Sequence, residues 1–199
     1  MITWEQLRHH FERDGVSFTE REGDLKILEV EVRLTEGPLE LQVAYDEENG
    51  VVRFLAPSLS LPRRLPRNRY ELRKALLLLN SCFILGGFSE SPQGRVSFGI
   101  TVLIEGNDLT YAVYRRLLNS VVASVDRALP WLRQVAMGAL SAEEAVENIL
   151  EISRRLQERP RPPAPPGADE AAPGAITEDE IEAFGRALLD GKIPPPHEV

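Results

Sequence analysis

The sequence predicts an α+β fold, in which an antiparallel sheet made of a three-strand meander plus a two-strand hairpin packs against helices. Three observations predict it. Apolar residues recur at every second position in two blocks, within residues 28–45 and, strictly, over residues 96–104. Helical spacings of three and four fill the segments before, between and after those blocks. The elements come as runs of strands and runs of helices, which separates the chain from a regular βαβ fold with a parallel sheet. Alternation with charged outer positions marks a sheet buried on one side only.

Taken in order, Thr3 to Arg13 reads as a helix, with Trp4, Leu7 and Phe11 on one face, Thr3 as N-cap and Gly15 as the stop. Leu28, Val30, Val32 and Leu34 then alternate with charged residues, Gly37-Pro38 breaks the chain, and Leu39, Leu41, Val43 and Tyr45 alternate again. Asn49-Gly50 is a strong hairpin turn into Val51 to Leu55, the third strand. A Pro/Arg-rich crossover, Pro57 to Arg69, leads to a helix at Tyr70 to Cys82, apolar nearly all round at Ala75 to Leu79 and therefore central. Phe83 to Phe88 reads as a strand whose Gly86-Gly87 suggests a bulge or a close backbone approach. The turn Ser91-Pro92-Gln93-Gly94 joins it to Val96, Phe98, Ile100, Val102 and Ile104.

The longest helix, Leu109 to Ala136, carries the stripe Tyr114, Leu117, Leu118, Val121, Val122, Val125, Leu129 and Leu132, with Pro130 predicting a kink near Asp126. Ser141 to Glu144 has capping-box spacing and opens a last helix to Glu158. The order is αβββαββα with one added helix, and Leu76, Leu79, Phe98, Ile100, Leu117, Val121 and Val125 are expected to be buried.

Proline and charge divide the chain near residue 159. Residues 160–199 hold nine of the fifteen prolines, with 3 basic and 8 acidic residues, a net of -5 out of a whole-chain charge of -8. Residues 1–159 are therefore the folded domain, residues 160–176 a Pro-rich disordered linker, and residues 177–199 an acidic tail. Within the tail Ile181, Phe184, Leu188 and Leu189 mark a short amphipathic helix.

The order of elements, and above all the stretch from Ala75 to Leu132 (ALLLLNSCFILGGFSESPQGRVSFGITVLIEGNDLTYAVYRRLLNSVVASVDRALPWL), resembles the YbjN-like family, which shares the fold of the class I type III secretion chaperones. The resemblance implies a compact domain that self-associates and binds protein segments without enzymatic activity. It carries over no site residues, and the helix from Ser141 and the Pro-rich tail lie outside the family core.

Composition narrows the function. With 23 basic against 31 acidic residues, nucleic acid is not the expected partner, and no apolar run approaches the roughly 20 residues that span a bilayer. The single cysteine, Cys82, rules out an internal disulfide and points to a reducing, cytoplasmic setting. It is read as a small hydrophobe at the end of an apolar helix. His9 and His10 point about 100° apart on a helix and His197 lies in the tail, so they read as surface histidines, not metal ligands. Asp46-Glu47-Glu48 solvates a turn, and no GxxxxGK[ST] or GxGxxG occurs. No enzyme, cofactor or metal is expected.

Binding is the expected work, to a protein or peptide partner, with a homodimer as the accompanying expectation and a dimer whose tail helix covers its own apolar groove as the alternative. The candidate contacts are the basic cluster Arg63, Arg64, Arg67, Arg69, Arg73 and Lys74, the apolar residues Phe83, Leu85, Phe88 and Leu103, and Phe184 and Leu188 of the tail. An apolar surplus on the long helix, if Tyr111, Leu118, Val122 and Trp131 lie off its main face, would favour a two-fold contact.

Overall fold

Thr3 opens the first helix, α1 (Trp4–Arg13), through a capping box: its hydroxyl accepts from the Gln6 N–H at 3.2 Å and its own N–H donates to the Gln6 side chain at 2.8 Å. The structure, a computed structural model, describes residues 3–21, 23, 25–62, 66–104 and 109–157, without the side chains of 66, 67, 156 and 157. The chain divides into two units, Met1–Gln157 and Glu158–Val199. The expected linker and tail helix lie outside the described residues.

Six strands follow the order β1-β2-β3-β4-β6-β5, every neighbouring pair antiparallel. They are β1 (Phe18–Arg21), β2 (Lys26–Leu34), β3 (Gly37–Asp46), β4 (Val51–Ala56), β5 (Gly87–Glu90) and β6 (Val96–Leu103). Between and after them lie α2 (Pro66–Asn80), α3 (Tyr111–Met137) and α4 (Ala142–Gln157). The expected order is present, with one strand more: β1 adds an edge to the meander. With one apolar residue in four, Phe18-Thr-Glu-Arg21 has no period from which a strand could be read.

Three local readings are corrected. The turn between β2 and β3 is Thr35-Glu36, and Gly37-Pro38 begins β3, with Leu34 facing Gly37 and Arg33 facing Pro38. In a two-residue turn the closing pair, Leu34 and Gly37, is hydrogen-bonded and the next pair is not, so the missing proline N–H breaks no bond to β2. The strand expected at Phe83 to Phe88 starts only at Gly87. Helix α2 starts at Pro66 and stops at Asn80, because the Asn80 side chain turns to bond Phe88; Cys82 lies past the helix end and is exposed, its thiol donating to the Leu78 carbonyl at 3.3 Å.

Side chains on one sheet face, from Leu28, Val30, Leu41, Val43, Val52, Phe54, Phe98 and Ile100, form the core with the helices. Helix α3 lies across β2, β4 and β6, α2 lies beside β5, and α4 packs on α2 and α3 as an outer layer. All seven residues expected to be buried are buried. Tyr111, Leu118, Val122 and Trp131 also pack against this core, so the apolar surplus of α3 is absorbed within the domain. Helix α3 runs as one element across Pro130 and ends at Gly138 with φ 78°.

Helix α2 satisfies the ends of its neighbours. The Asn68 amide donates to the Ala136 carbonyl near the end of α3 (3.1 Å), and the Glu71 carboxylate accepts from the Ala142 N–H at the start of α4 (3.2 Å). Both are groups that a helix terminus leaves without an intrahelical partner.

The close approach read from Gly86-Gly87 is present. A Cβ on Gly86, at φ +77°, would lie 2.6 Å from both the Gly99 carbonyl oxygen and Ile100 Cγ1, whereas one on Gly15, at φ +65°, would meet nothing within 4 Å. Gly15→Ala therefore bears backbone strain alone, about 1 kcal/mol, while Gly86→Ala adds overlap with backbone, for a loss of about 3 kcal/mol or more. Urea unfolding of the two variants measures the difference.

Candidate binding surfaces

The described half of the basic cluster is already engaged. Arg69 and Arg73 both pair with Glu90, the last residue of β5, and Lys74 pairs with Glu143 of α4. The Glu90 side chain is only 8% exposed, and a carboxylate so covered requires partners. These pairs fasten α2 to the sheet edge and to α4. Arg63 and Arg64 lie outside the described residues, as does the side chain of Arg67.

Of the apolar candidates, Phe83 and Phe88 face inward. Their rings lie 5.7 Å apart and pack on Phe98 at 5.4 and 4.8 Å, so Phe88 is a core residue and Phe83 half-buried beside it. Phe88 stands opposite Phe98 and shares its inward face, and the break in the strand at Gly86 lets Phe83 face the same way. Leu85 and Leu103 do face solvent, at 49% and 72% exposure, with Ile84 exposed beside Leu85. Phe184 and Leu188 lie outside the described residues.

The two strands at this edge differ in availability. Asn80 covers β5: its amide donates to the Phe88 carbonyl at 2.9 Å and its oxygen accepts from the Phe88 N–H at 2.7 Å, as a neighbouring strand would. That protects the edge. Strand β6 extends further than β5, since pairing ends at Gly87 opposite Gly99. The Ile104 N–H donates to Gly50, so even-numbered residues of β6 bond toward β4 and odd-numbered ones point to the other side. Beyond Gly87 the chain runs inward against Phe98 and Ile100. Among the described residues, the outward backbone groups of Thr101 and Leu103 consequently meet no strand.

A second cluster went unread in the sequence. The Asp14 side chain, only 3% exposed at the end of α1, accepts from the Tyr111 hydroxyl and from Arg115 (2.8 Å) on α3. His10 Nε2 donates to the Leu109 carbonyl at 2.9 Å, and the His10 ring stacks on Tyr114 at 5.1 Å. The Arg13 guanidinium lies 3.8 Å from the centre of the Tyr111 ring. His10 is therefore an internal contact and not a surface histidine, while His9 is exposed near Glu12. Partners some 97 residues apart leave no local signal.

Among the described residues no group of three His, Cys, Asp or Glu is placed to hold a metal, and no helix is long and apolar enough to cross a membrane. Open grooves among the described residues include one over Leu78, Val146 and Leu150 between α2 and α4, and one beside β1.

Burial raises the Asp14 carboxyl, but the bonds from Tyr111 and Arg115 outweigh it and leave its pKa below the ordinary value. Such a group adds stability above its unfolded-state pKa, and that stability is lost as pH falls through its folded-state pKa. Asp14→Asn is expected to cost roughly 1–3 kcal/mol at neutral pH and to flatten the loss of stability in acid. Denaturant unfolding of both proteins between pH 7 and pH 3 checks it.

No protein-family model matches the chain, and no curated protein matches it. Among solved structures it is similar to the crystal structure of YbjN from E. coli, described as a candidate transcription regulator. The two chains are 12% identical, and the similarity covers 78% of this chain and 94% of that one with a TM-score of 0.43. At that distance no function passes from one to the other.

Proposed function

We propose that the chain is a non-enzymatic cytoplasmic protein-binding module, chaperone-like or regulatory, that takes up an extended apolar segment of a partner along the free edge of β6. The observation that carries the reading is the overhang itself. Thr101 and Leu103 point backbone donors and acceptors past the end of β5, and the Leu103 side chain is exposed there, as Leu85 is in the segment before β5. A strand added there gains main-chain bonds from the edge and side-chain contacts from the leucines. Asn80 bars the same addition to β5, which directs a guest to β6.

The overhang is also self-complementary. Two copies can pair Thr101 to Leu103 antiparallel about a two-fold axis, which is the observation that favours a homodimer as the second reading.

An NMR titration with a capped peptide of alternating valine and serine tests the first reading. The Thr101 and Leu103 amides are expected to shift, and Leu103→Asp, at an exposed position, should weaken binding about tenfold with the fold intact. Shifts confined to other parts of the molecule would overturn it. Light scattering separates the second reading: a wild-type dimer that Leu103→Asp converts to a monomer supports it, and a wild-type monomer contradicts it.

A further inference from the structure

The open side of β6 lies beside a cation that no described carboxylate matches. On the solvent face Arg53 of β4 stands directly opposite Thr101 of β6, and both are exposed. Because the odd-numbered residues of β6 bond away from β4, this is the non-hydrogen-bonded kind of pair, in which opposed side chains come closest. The Arg53 Nε donates to the Thr101 hydroxyl at 3.3 Å, so the guanidinium reaches the last paired strand before the open side. Its other donors are left over. Among the described residues no carboxylate pairs with Arg53, whereas Arg21 has Glu29 at 3.3 Å and Arg115 has Asp14 at 2.8 Å.

The surroundings of this cation are apolar or small. Two residues on along β6 is Leu103, 72% exposed and opposite Val51, and two residues back is Gly99, opposite Leu55. The row Ile27, Ala44, Arg53 and Thr101, which crosses the sheet from β2 to β6, holds no carboxylate. Asp46, opposite Val51 in the next row, is taken up by the Asn49 N–H at 3.0 Å and the Asn49 amide at 2.8 Å. A strand laid against the open side of β6 puts the residue opposite Thr101 on the same face as Arg53, with the two backbones two strand spacings, about 10 Å, apart. The guanidinium lies between them. Pairing of two copies does not supply the missing charge, since about the two-fold axis Thr101 faces Leu103 of the second copy.

We propose that the β6 edge selects an extended, antiparallel segment of a partner protein that sets Asp or Glu opposite Thr101 and an apolar residue two positions earlier, opposite Leu103. The carboxylate takes the free donors of Arg53, the apolar side chain packs on Leu103 and Val51, and the guest backbone bonds the outward groups of Thr101 and Leu103. An exposed ion pair adds little affinity, so the backbone bonds hold the guest and the charge sorts one guest from another. A guest with Lys or Arg at the same position brings like charge against Arg53. The inference rests on reading the β6 edge as the site of an added strand, and it names the strand that the edge prefers.

The full chain titrated by NMR with acetyl-Ser-Val-Ser-Glu-Ser-amide, and with the same peptide carrying Gln or Lys in place of Glu, tests it. The Glu peptide should shift the Thr101 and Leu103 amides and the Arg53 side-chain N–H, and should bind about threefold more tightly than the Gln peptide and about fivefold more tightly than the Lys peptide, a preference that shrinks as salt rises. Arg53→Gln, at an exposed position, should abolish the preference for Glu over Gln, and Arg53→Lys should keep part of it. Equal binding of the three peptides with those amide shifts present, or a preference for Glu that Arg53→Gln retains, would overturn this inference and leave the edge reading standing. Glu-peptide affinity that falls as protein concentration rises would give the edge to a second copy and overturn the acidic guest. Absence of shifts at Thr101 and Leu103 with these peptides and with the valine-serine peptide would overturn both.

Discussion

One-sided burial of the antiparallel sheet is the constraint on which the rest of the structure depends. Strands β2, β3, β4 and β6 alternate between inward apolar residues and outward ones that are mostly polar or small, with Ile27, Val51, Leu55 and Leu103 as exceptions, so the helices cover one face. That places α3 across β2, β4 and β6, leaves the other face to Glu29, Glu31, Glu40, Arg53 and Thr101, and makes the two edges the places where pairing has to stop. Shifting any one strand by a residue would reverse its faces and remove the seat of α3.

The polar groups that matter then lie where elements end. Helix α2 supplies Asn68 to the end of α3, Glu71 to the start of α4, two arginines to Glu90 on β5, and Asn80 to the open side of β5. A basic stretch that reads as a docking patch is thereby spent, in its described part, on holding layers together. What remains open among the described residues is the excess length of β6 over β5.

How much of this was legible follows from the range of each interaction. The long strands and helices carry their period locally, and the capping boxes at Thr3 and Ser141 and the glycines at 15, 50, 94 and 138 mark their ends within a few residues. Strand β1 was not legible, because a four-residue edge with a single apolar residue has no period. Gly37-Pro38 misled because its turn-forming residues begin a strand. The ion pairs of Arg69, Arg73 and Lys74 and the Asp14 cluster join residues far apart in sequence, and the overhang is a difference in length between paired strands. Neither kind of feature leaves a mark in any one segment. Leu85 and Leu103 are exposed, as a contact requires, whereas Phe88, expected among the contacts, stands opposite Phe98 and belongs to the core.

The central claim is that backbone pairing stops short on the outer side of β6 while the sheet continues behind it. Amide hydrogen exchange of the free protein, read residue by residue, tests it most directly. The account predicts rapid exchange at Thr101 and Leu103 beside slow exchange at Ile100 and Val102, an alternation absent where β5 covers the edge. Uniform protection along residues 100–103 would contradict it.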